Sequence, residues 1–317
     1  MGDYTHLEFH EAQSLLKQYS LGDKKLSKLE PLSLGISNSN YKLEFSNGCR
    51  LLLKVSNDKK IEDLEGEQNI LYFLRNRFYP YSVTPLQTLW GKGIYQFKSL
   101  HGALYPFIEG IPPGPNDATC YQIGQALAKL HSLSVEKEDR ESNHLRFYRE
   151  VGFDACFIKN YVDQGLAPKT FEDKFYDIFP DALEKYLSQN FKKGIIHGDL
   201  YYDNTLFYGE ELAALLDFEQ SGIGDCLLDL GISLSGTCLE KGMISSKLIH
   251  SYLLGYESVR ALEKNEKRFL KQSIQIGLFS ISLWRIKRFK EGDLNPALKE
   301  SFLELLTKAQ ALKEISL

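Results

Sequence analysis

Between residues 32 and 105 short apolar runs alternate with turn signals. Strand-like runs are expected over 32–37 and 41–45, flanking a small polar loop. A third is expected over 50–55 (RLLLKV), an apolar stretch carrying one lysine, Lys54. Asn47-Gly48 between the second and third runs is a hairpin signal. A helix is expected over 61–75, followed by Pro80, Pro85 and two further strand-like stretches at 88–90 and 94–97. The highest Pro/Gly density lies at 104–115 (LYPFIEGIPPGP), which reads as a connector between lobes. Beyond it the pattern is mostly helical. Asn116 or Asp117 can cap a helix bearing Ile123, Ala126, Leu127 and Leu130 at helical spacing. Asn295-Pro296 places an N-cap before a first-turn proline, ahead of the stripe Leu298, Phe302, Leu305, Leu306 and Ala309. The pattern predicts an α+β chain, with a small β-rich N-terminal lobe (1–105) and a larger, mainly helical C-terminal lobe (106–317).

Composition narrows the picture. At 317 residues with 43% hydrophobic content, the chain can bury a sizeable core, which excludes intrinsic disorder. A net charge of −4 argues against nucleic acid as the main partner, while leaving room for a local basic cleft. No stretch of 18 uninterrupted apolar residues occurs and the N-terminus lacks the pattern of a signal peptide, so no membrane association and a cytoplasmic location are expected. Cys49, Cys120, Cys156, Cys226 and Cys238 are scattered, with no C-x-x-C pair; small, buried, reduced residues are expected at all five.

The chemistry concentrates in 195–207 (IIHGDLYYDNTLF), a turn at 208–211, and 212–219 (LAALLDFE). Loop, short strand, turn, and an apolar strand leading to an aspartate would bring Asp199, Asn204 and Asp217 together at one end of a hairpin. Phosphoryl transfer wants such a set: one carboxylate takes the acceptor's hydroxyl proton, while an amide and a second carboxylate hold Mg2+ on the nucleotide phosphates. H-x-D-x-x-x-x-N followed by D-F matches the catalytic-loop and metal-loop spacing of kinases. Singly, an Asp or Asn in a loop more often caps a turn, and His197 can simply anchor the loop. The joint spacing favours chemistry.

Upstream residues agree. Lys54 inside an apolar strand needs an anionic partner. On the following helix, Glu62 and Glu65 share a polar face with Gly66, Asn69 and Tyr72, whereas Glu67 follows the spacing of Ile70, Leu71 and Leu74. Lys54–Glu67 is therefore the expected ion pair, with Glu67 turning Lys54 towards phosphate. The loop 34–41, including Ser37 and Asn38, has small residues that can present backbone N–H groups to phosphate, although an ordinary hairpin turn would look the same.

On 197–204 (HGDLYYDN), 216–219 (LDFE), Gly224-Asp225 and Asp229-Leu230, the chain resembles the aminoglycoside phosphotransferase/choline kinase superfamily, small-molecule kinases with a bilobal protein-kinase-like fold. The resemblance implies Asp199 as catalytic base, Asn204 and Asp217 as magnesium ligands, and Lys54 on the phosphates of ATP. It also implies that the connector near Tyr105 and Phe107 holds the adenine by backbone hydrogen bonds. Within the superfamily, 255–262 (GYESVRAL) and a helix containing Leu283, Trp284, Arg285 and Ile286 are similar to type II homoserine kinases. That resemblance implies homoserine as the small-molecule hydroxyl acceptor, with an aminoglycoside, choline or methylthioribose as alternatives. A kinase-fold binding protein without turnover is the competing class; the presence of Lys54, Asp199, Asn204 and Asp217 weighs against it.

Three further residues stay outside the catalytic set. Arg285 shares a helix face with Leu278, Ile281, Ser282 and Phe289 and needs a partner, either a substrate carboxylate or an internal group. Arg260 sits among Glu257, Glu263 and Lys264 and reads as solvated. His131 reads as a hydrogen-bonded core histidine.

Overall fold

The computed structural model describes residues 5–32, 38–141, 145–292 and 296–315. The chain divides into two compact units, 1–109 and 110–317.

The N-terminal unit is a five-stranded antiparallel sheet of β1 (Leu26–Leu32), β2 (Asn38–Phe45), β3 (Arg50–Ser56), β4 (Ile94–Phe97) and β5 (Leu100–Pro106), in the spatial order β1-β2-β3-β5-β4. Helix α1 (Phe9–Leu16) and helix α2 (Ile61–Asn76) complete it. Strand alternation sorts the faces. Tyr41, Leu43, Leu51, Leu53 and Val55 point to one side and share a core with Ala12 and Leu15 of α1. Each such side chain taken from water stabilises the unit by about 1.5–3 kcal/mol. The opposite face carries Lys54, which sits opposite Asn40 on β2 and Ala103 on β5, so both edges of its strand are paired.

One strand expectation needs correction. Residues 88–90 form no strand: Thr88 makes one isolated bridge to Tyr19, and the chain turns through Gly91 at φ +72°. The Thr88 N–H bonds to Lys92 O, closing that turn. Of the expected run at 32–37 only Leu32 is described, as the last residue of β1; residues 33–37 lie outside the described residues. The start of the expected connector is also strand, because Leu104, Tyr105 and Pro106 pair in β5 with Leu53, Leu52 and Leu51.

The C-terminal unit is built on helices α3 (Asp117–His131), α4 (Lys137–Glu141), α5 (Ala155–Asp163), α6 (Lys169–Ile178) and α7 (Ala182–Leu187). It continues with α8 (Cys226–Thr237), α9 (Ser246–Glu257), α10 (Lys264–Arg285) and α11 (Phe302–Ala311). The Asn116 side chain caps α3 by accepting from the Thr119 N–H at 3.0 Å. Helices α3 and α9 cross where a glycine on each admits the other's backbone. A Cβ on Gly124 would lie 2.2 Å from Tyr252 O, and one on Gly255 would lie 1.9 Å from Tyr121 O. Helix α10 packs on α8 and α11. The last helix starts at Phe302, later than Pro296; Pro296–Leu298 is a single tight turn, and Asn295 lies outside the described residues. Among the described residues a short ribbon of β10 (Leu239–Glu240) and β11 (Met243–Ile244) follows α8, and two further β ribbons interrupt the helices: β6 (Lys193–Ile196) pairs with β9 (Gly222–Asp225), and β7 (Thr205–Tyr208) with β8 (Glu211–Leu215). The latter two frame the loops that carry the H-x-D and D-F motifs.

Three of the five cysteines are buried, as expected. Cys156 is exposed and Cys49 half-buried, because the first lies on the outer face of α5 and the second in a hairpin turn. Among the described residues no helix is long and apolar enough to cross a membrane.

Candidate active site

The loop between β6 and β7 is fixed from three directions. The backbone N–H groups of His197 and Gly198 donate to the two carboxylate oxygens of Asp229, each at 2.8 Å. The buried His197 ring bonds through Nε2 to Leu216 O at 2.9 Å, and the Asp199 N–H meets its Nδ1 at 3.3 Å. These contacts fit one neutral tautomer, with Nε2–H donating to the carbonyl and Nδ1 accepting. Gly198 stands at φ +81°, and a Cβ there would lie 2.7 Å from Gln220 O, so only glycine suits this turn.

The hairpin then brings the three motif residues together. The Leu216 N–H donates to Asn204 O at 2.8 Å. Asn204 Nδ2 donates to Asp199 O at 2.7 Å and to Asp199 Oδ2 at 3.3 Å, which turns its Oδ1 the other way. Asp217 occupies the left-handed region at φ 59°, a conformation that costs a non-glycine residue roughly 1–2 kcal/mol. Burial, then the nearby charges of Asp217 and Asp203, push the Asp199 carboxyl well above the ordinary carboxylate range. Burial also raises Asp203.

This donor set fits a hard cation. A carboxylate and an amide oxygen are magnesium-type ligands, and the crowding of Asp199, Asp203 and Asp217 is the electrostatic situation a divalent ion relieves. Among the described residues no group of three or more His, Cys, Asp or Glu side chains could hold a metal alone. A magnesium ion does not require one, since it is commonly bound by one or two carboxylates together with phosphate oxygens.

Asp229 on α8 is more than a loop anchor. It also takes His131 Nε2 at 2.9 Å; His131 Nδ1 lies 2.7 Å from Tyr256 Oη, and Arg260 donates to Tyr256 Oη at 2.9 Å and to Glu266 Oε1 at 2.6 Å. Arg260, expected in solvent, is instead buried, because the Glu266 carboxylate and the Tyr256 phenol meet it inside α9 and α10. His131 is the hydrogen-bonded core histidine that its apolar helix suggests. Arg285 uses internal partners, donating to Ser301 O at 2.8 Å with Glu304 at 3.9 Å.

In the N-terminal unit Lys54 Nζ lies 3.8 Å from Glu67 Oε1, both side chains largely buried, while Glu62 and Glu65 are exposed. Asn38 is the first residue of β2 rather than part of a loop, and Ser37 lies outside the described residues. Tyr105 is buried in β5 opposite Leu52. The Phe107 N–H goes to Arg50 O at 3.3 Å, and the Lys42 ammonium stands 5.1 Å from the Phe107 ring centroid.

Sequence reasoning missed Arg146, whose guanidinium binds the carbonyls of Phe218, Glu219 and Ser221 directly after Asp217. A lone arginine in an irregular stretch carries no spacing signal that could have found it.

An antiparallel five-stranded sheet unit, followed by a helical unit bearing these two loops, is the architecture of kinase-like phosphotransferases. The match is direct: the sequence profile of the phosphotransferase enzyme family covers residues 28–262, and the chain belongs to that family. It is 28% identical over 270 residues to a homoserine kinase from Brucella ovis, covering 84% of this chain and 80% of that protein. Among solved structures it is similar to a choline/ethanolamine kinase family protein from Mesorhizobium loti (TM-score 0.68, 16% identity, 96% and 95% of the two chains). An amicoumacin kinase in complex with AMP-PNP and Ca2+ aligns with a TM-score of 0.67 at 12% identity, over 95% of this chain and 92% of that one. These structures establish the bilobal kinase-like α+β fold.

Proposed function

We propose that this phosphotransferase is an ATP- and Mg2+-dependent homoserine kinase, forming O-phosphohomoserine. The observation that carries the kinase chemistry is the Asp199–Asn204–Asp217 cluster. Homoserine as acceptor is supported by the homoserine kinase relative from Brucella ovis, of whose length 80% is matched.

Asp199 is the general base. Its raised carboxyl sits closer to the operating pH than an ordinary aspartate, which suits a group that must take a hydroxyl proton during transfer. Asn204 orients it through the two Nδ2 hydrogen bonds and keeps Oδ1 for the cation, while Asp217 offers its carboxylate to the same ion. Bound magnesium would supply positive charge to the β- and γ-phosphate oxygens. In the N-terminal unit we assign Lys54, turned by Glu67, and Asn38 to the phosphates, and Tyr105 and Phe107 to the adenine. Because the transferred phosphoryl group has a loose transition state, positioning and charge supply most of the rate.

A coupled ATP-consumption screen across homoserine, choline, methylthioribose and aminoglycosides tests the reading. Turnover with homoserine well above all others is expected. Preference for a cationic acceptor would overturn the substrate, and no turnover with any acceptor would favour a binding protein.

A further inference from the structure

We infer that residues 145–150 form a strap that holds the H-x-D loop and the D-F loop in register, with Arg146 as the positioning residue for Asp217. The inference rests on the functional reading above and assigns a role to a segment outside both motifs.

The strap lies between α4 and α5, and its backbone joins the β6–β9 ribbon. Phe147 makes a parallel bridge to Ile223, and the Ile223 N–H donates to Arg146 O at 2.9 Å. From that base Arg146 reaches the segment after Asp217. Its Nε donates to Ser221 O at 2.9 Å, and its Nη2 to Phe218 O at 3.3 Å and to Glu219 O. Three carbonyls of one short turn thus converge on one guanidinium, whose planar fork suits several acceptors at once. On the other side of Asp217 the chain is held by His197 Nε2 on Leu216 O and by the Leu216 N–H on Asn204 O. The left-handed Asp217 is therefore tied at both flanks. Such a conformation persists where the surroundings over-determine it.

Tyr148, two residues on, serves the other loop. Its ring fills a space that Cβ atoms on Gly152 and Gly198 would enter, and its Oη lies 3.4 Å from Ser280 Oγ on α10. Gly198 belongs to the H-x-D loop. One six-residue segment consequently touches the base loop through Tyr148 and the metal loop through Arg146.

The test compares wild type with Arg146→Gln, Arg146→Lys and Lys185→Gln, an exposed control outside the strap. Hydrogen exchange should rise in peptides spanning 216–221 of both Arg146 variants, with 226–237 unchanged, and the control should match wild type. Calorimetry with AMP-PNP should show binding weakened by about 10–100-fold in the presence of Mg2+, the usual cost of losing a residue that supports a metal ligand. In EDTA the nucleotide affinity should stay at the wild-type value. Arg146→Lys, which keeps charge but not the fork, should fall between wild type and Arg146→Gln. Unchanged exchange at 216–221, exchange rising equally everywhere, or equal loss of affinity with and without Mg2+ would overturn the strap. Wild-type protein that binds no nucleotide would instead overturn the functional reading, and hydrogen exchange at 216–221 would then decide alone whether Arg146 holds the turn.

Discussion

His131 Nε2 and Asp229 Oδ2 stand 2.9 Å apart with both side chains fully buried. The hydrogen bonds around them admit one consistent proton arrangement. Arg260 donates to the Tyr256 oxygen, the phenol donates to His131 Nδ1, and Nε2–H donates to an ionised Asp229 that also receives the His197 and Gly198 N–H groups. Burial holds the imidazole below its ordinary range. Burial also acts to raise Asp229, but the hydrogen bonds it accepts from His131 Nε2–H and the loop N–H groups outweigh it and keep the carboxyl low.

A pH dependence of stability follows. An unfolded histidine takes its proton near pH 6.5 while the folded His131 resists it, so the unfolded state binds more protons as pH falls. Stability should therefore decline below about pH 6.5, by at most ~1.4 kcal/mol per pH unit for this one group. The Asp229 contribution is lost only at more acidic pH, below the unfolded value of about 3.9. Urea titrations between pH 8 and 5 would check this; His131→Asn, already less stable, should show a flatter slope over that range. An unchanged slope would mean that the imidazole is charged in the folded protein.

Asp199→Asn should bind nucleotide with wild-type affinity but lose transfer by about 10²–10⁴-fold, the typical worth of a positioned base. Asp203→Asn removes a negative neighbour that raises the Asp199 carboxyl. Its acid limb of activity should consequently shift to lower pH than wild type, measured at fixed magnesium. Full transfer by Asp199→Asn would refute the base assignment.

Asp217→Ala should weaken AMP-PNP binding in magnesium by about 10–100-fold and leave binding in EDTA unaffected, as calorimetry can show. Loss in both conditions would make Asp217 a structural residue.

Gly255→Ala should destabilise the protein by about 1–3 kcal/mol, because the new methyl meets the backbone of α3 and forces the helices apart. Gly114→Ala has open space around its Cβ and should leave the urea midpoint close to wild type.

Most of the architecture was legible in the sequence wherever periodicity was strong. The RLLLKV strand, the amphipathic α2 that turns Glu67 inwards, and the Asn116 cap all follow local rules. That one hairpin gathers Asp199, Asn204 and Asp217 was legible from the H-x-D-x-x-x-x-N and D-F spacing and the strand-turn-strand pattern between them. What escaped was long-range. Arg260 looks solvated among its neighbours in the chain, and only the packing of α9 and α10 reveals the Glu266 carboxylate and the Tyr256 phenol around it. Arg146 sits in a stretch with no period, and its three carbonyl partners lie 72, 73 and 75 residues away. Residues 88–90 misled for the opposite reason: a β-rich composition within a turn closed by Thr88 and Lys92.

The order of synthesis gives the His131–Tyr256 hydrogen bond another consequence. Its partners are 125 residues apart, and Tyr256 leaves the ribosome after the whole of 197–217. A nascent chain therefore contains every residue of the motif before it contains the phenol that completes the support beneath it. Contacts of such separation form late and slowly. During translation the protein should pass through a stage that spells a kinase without yet being shaped as one.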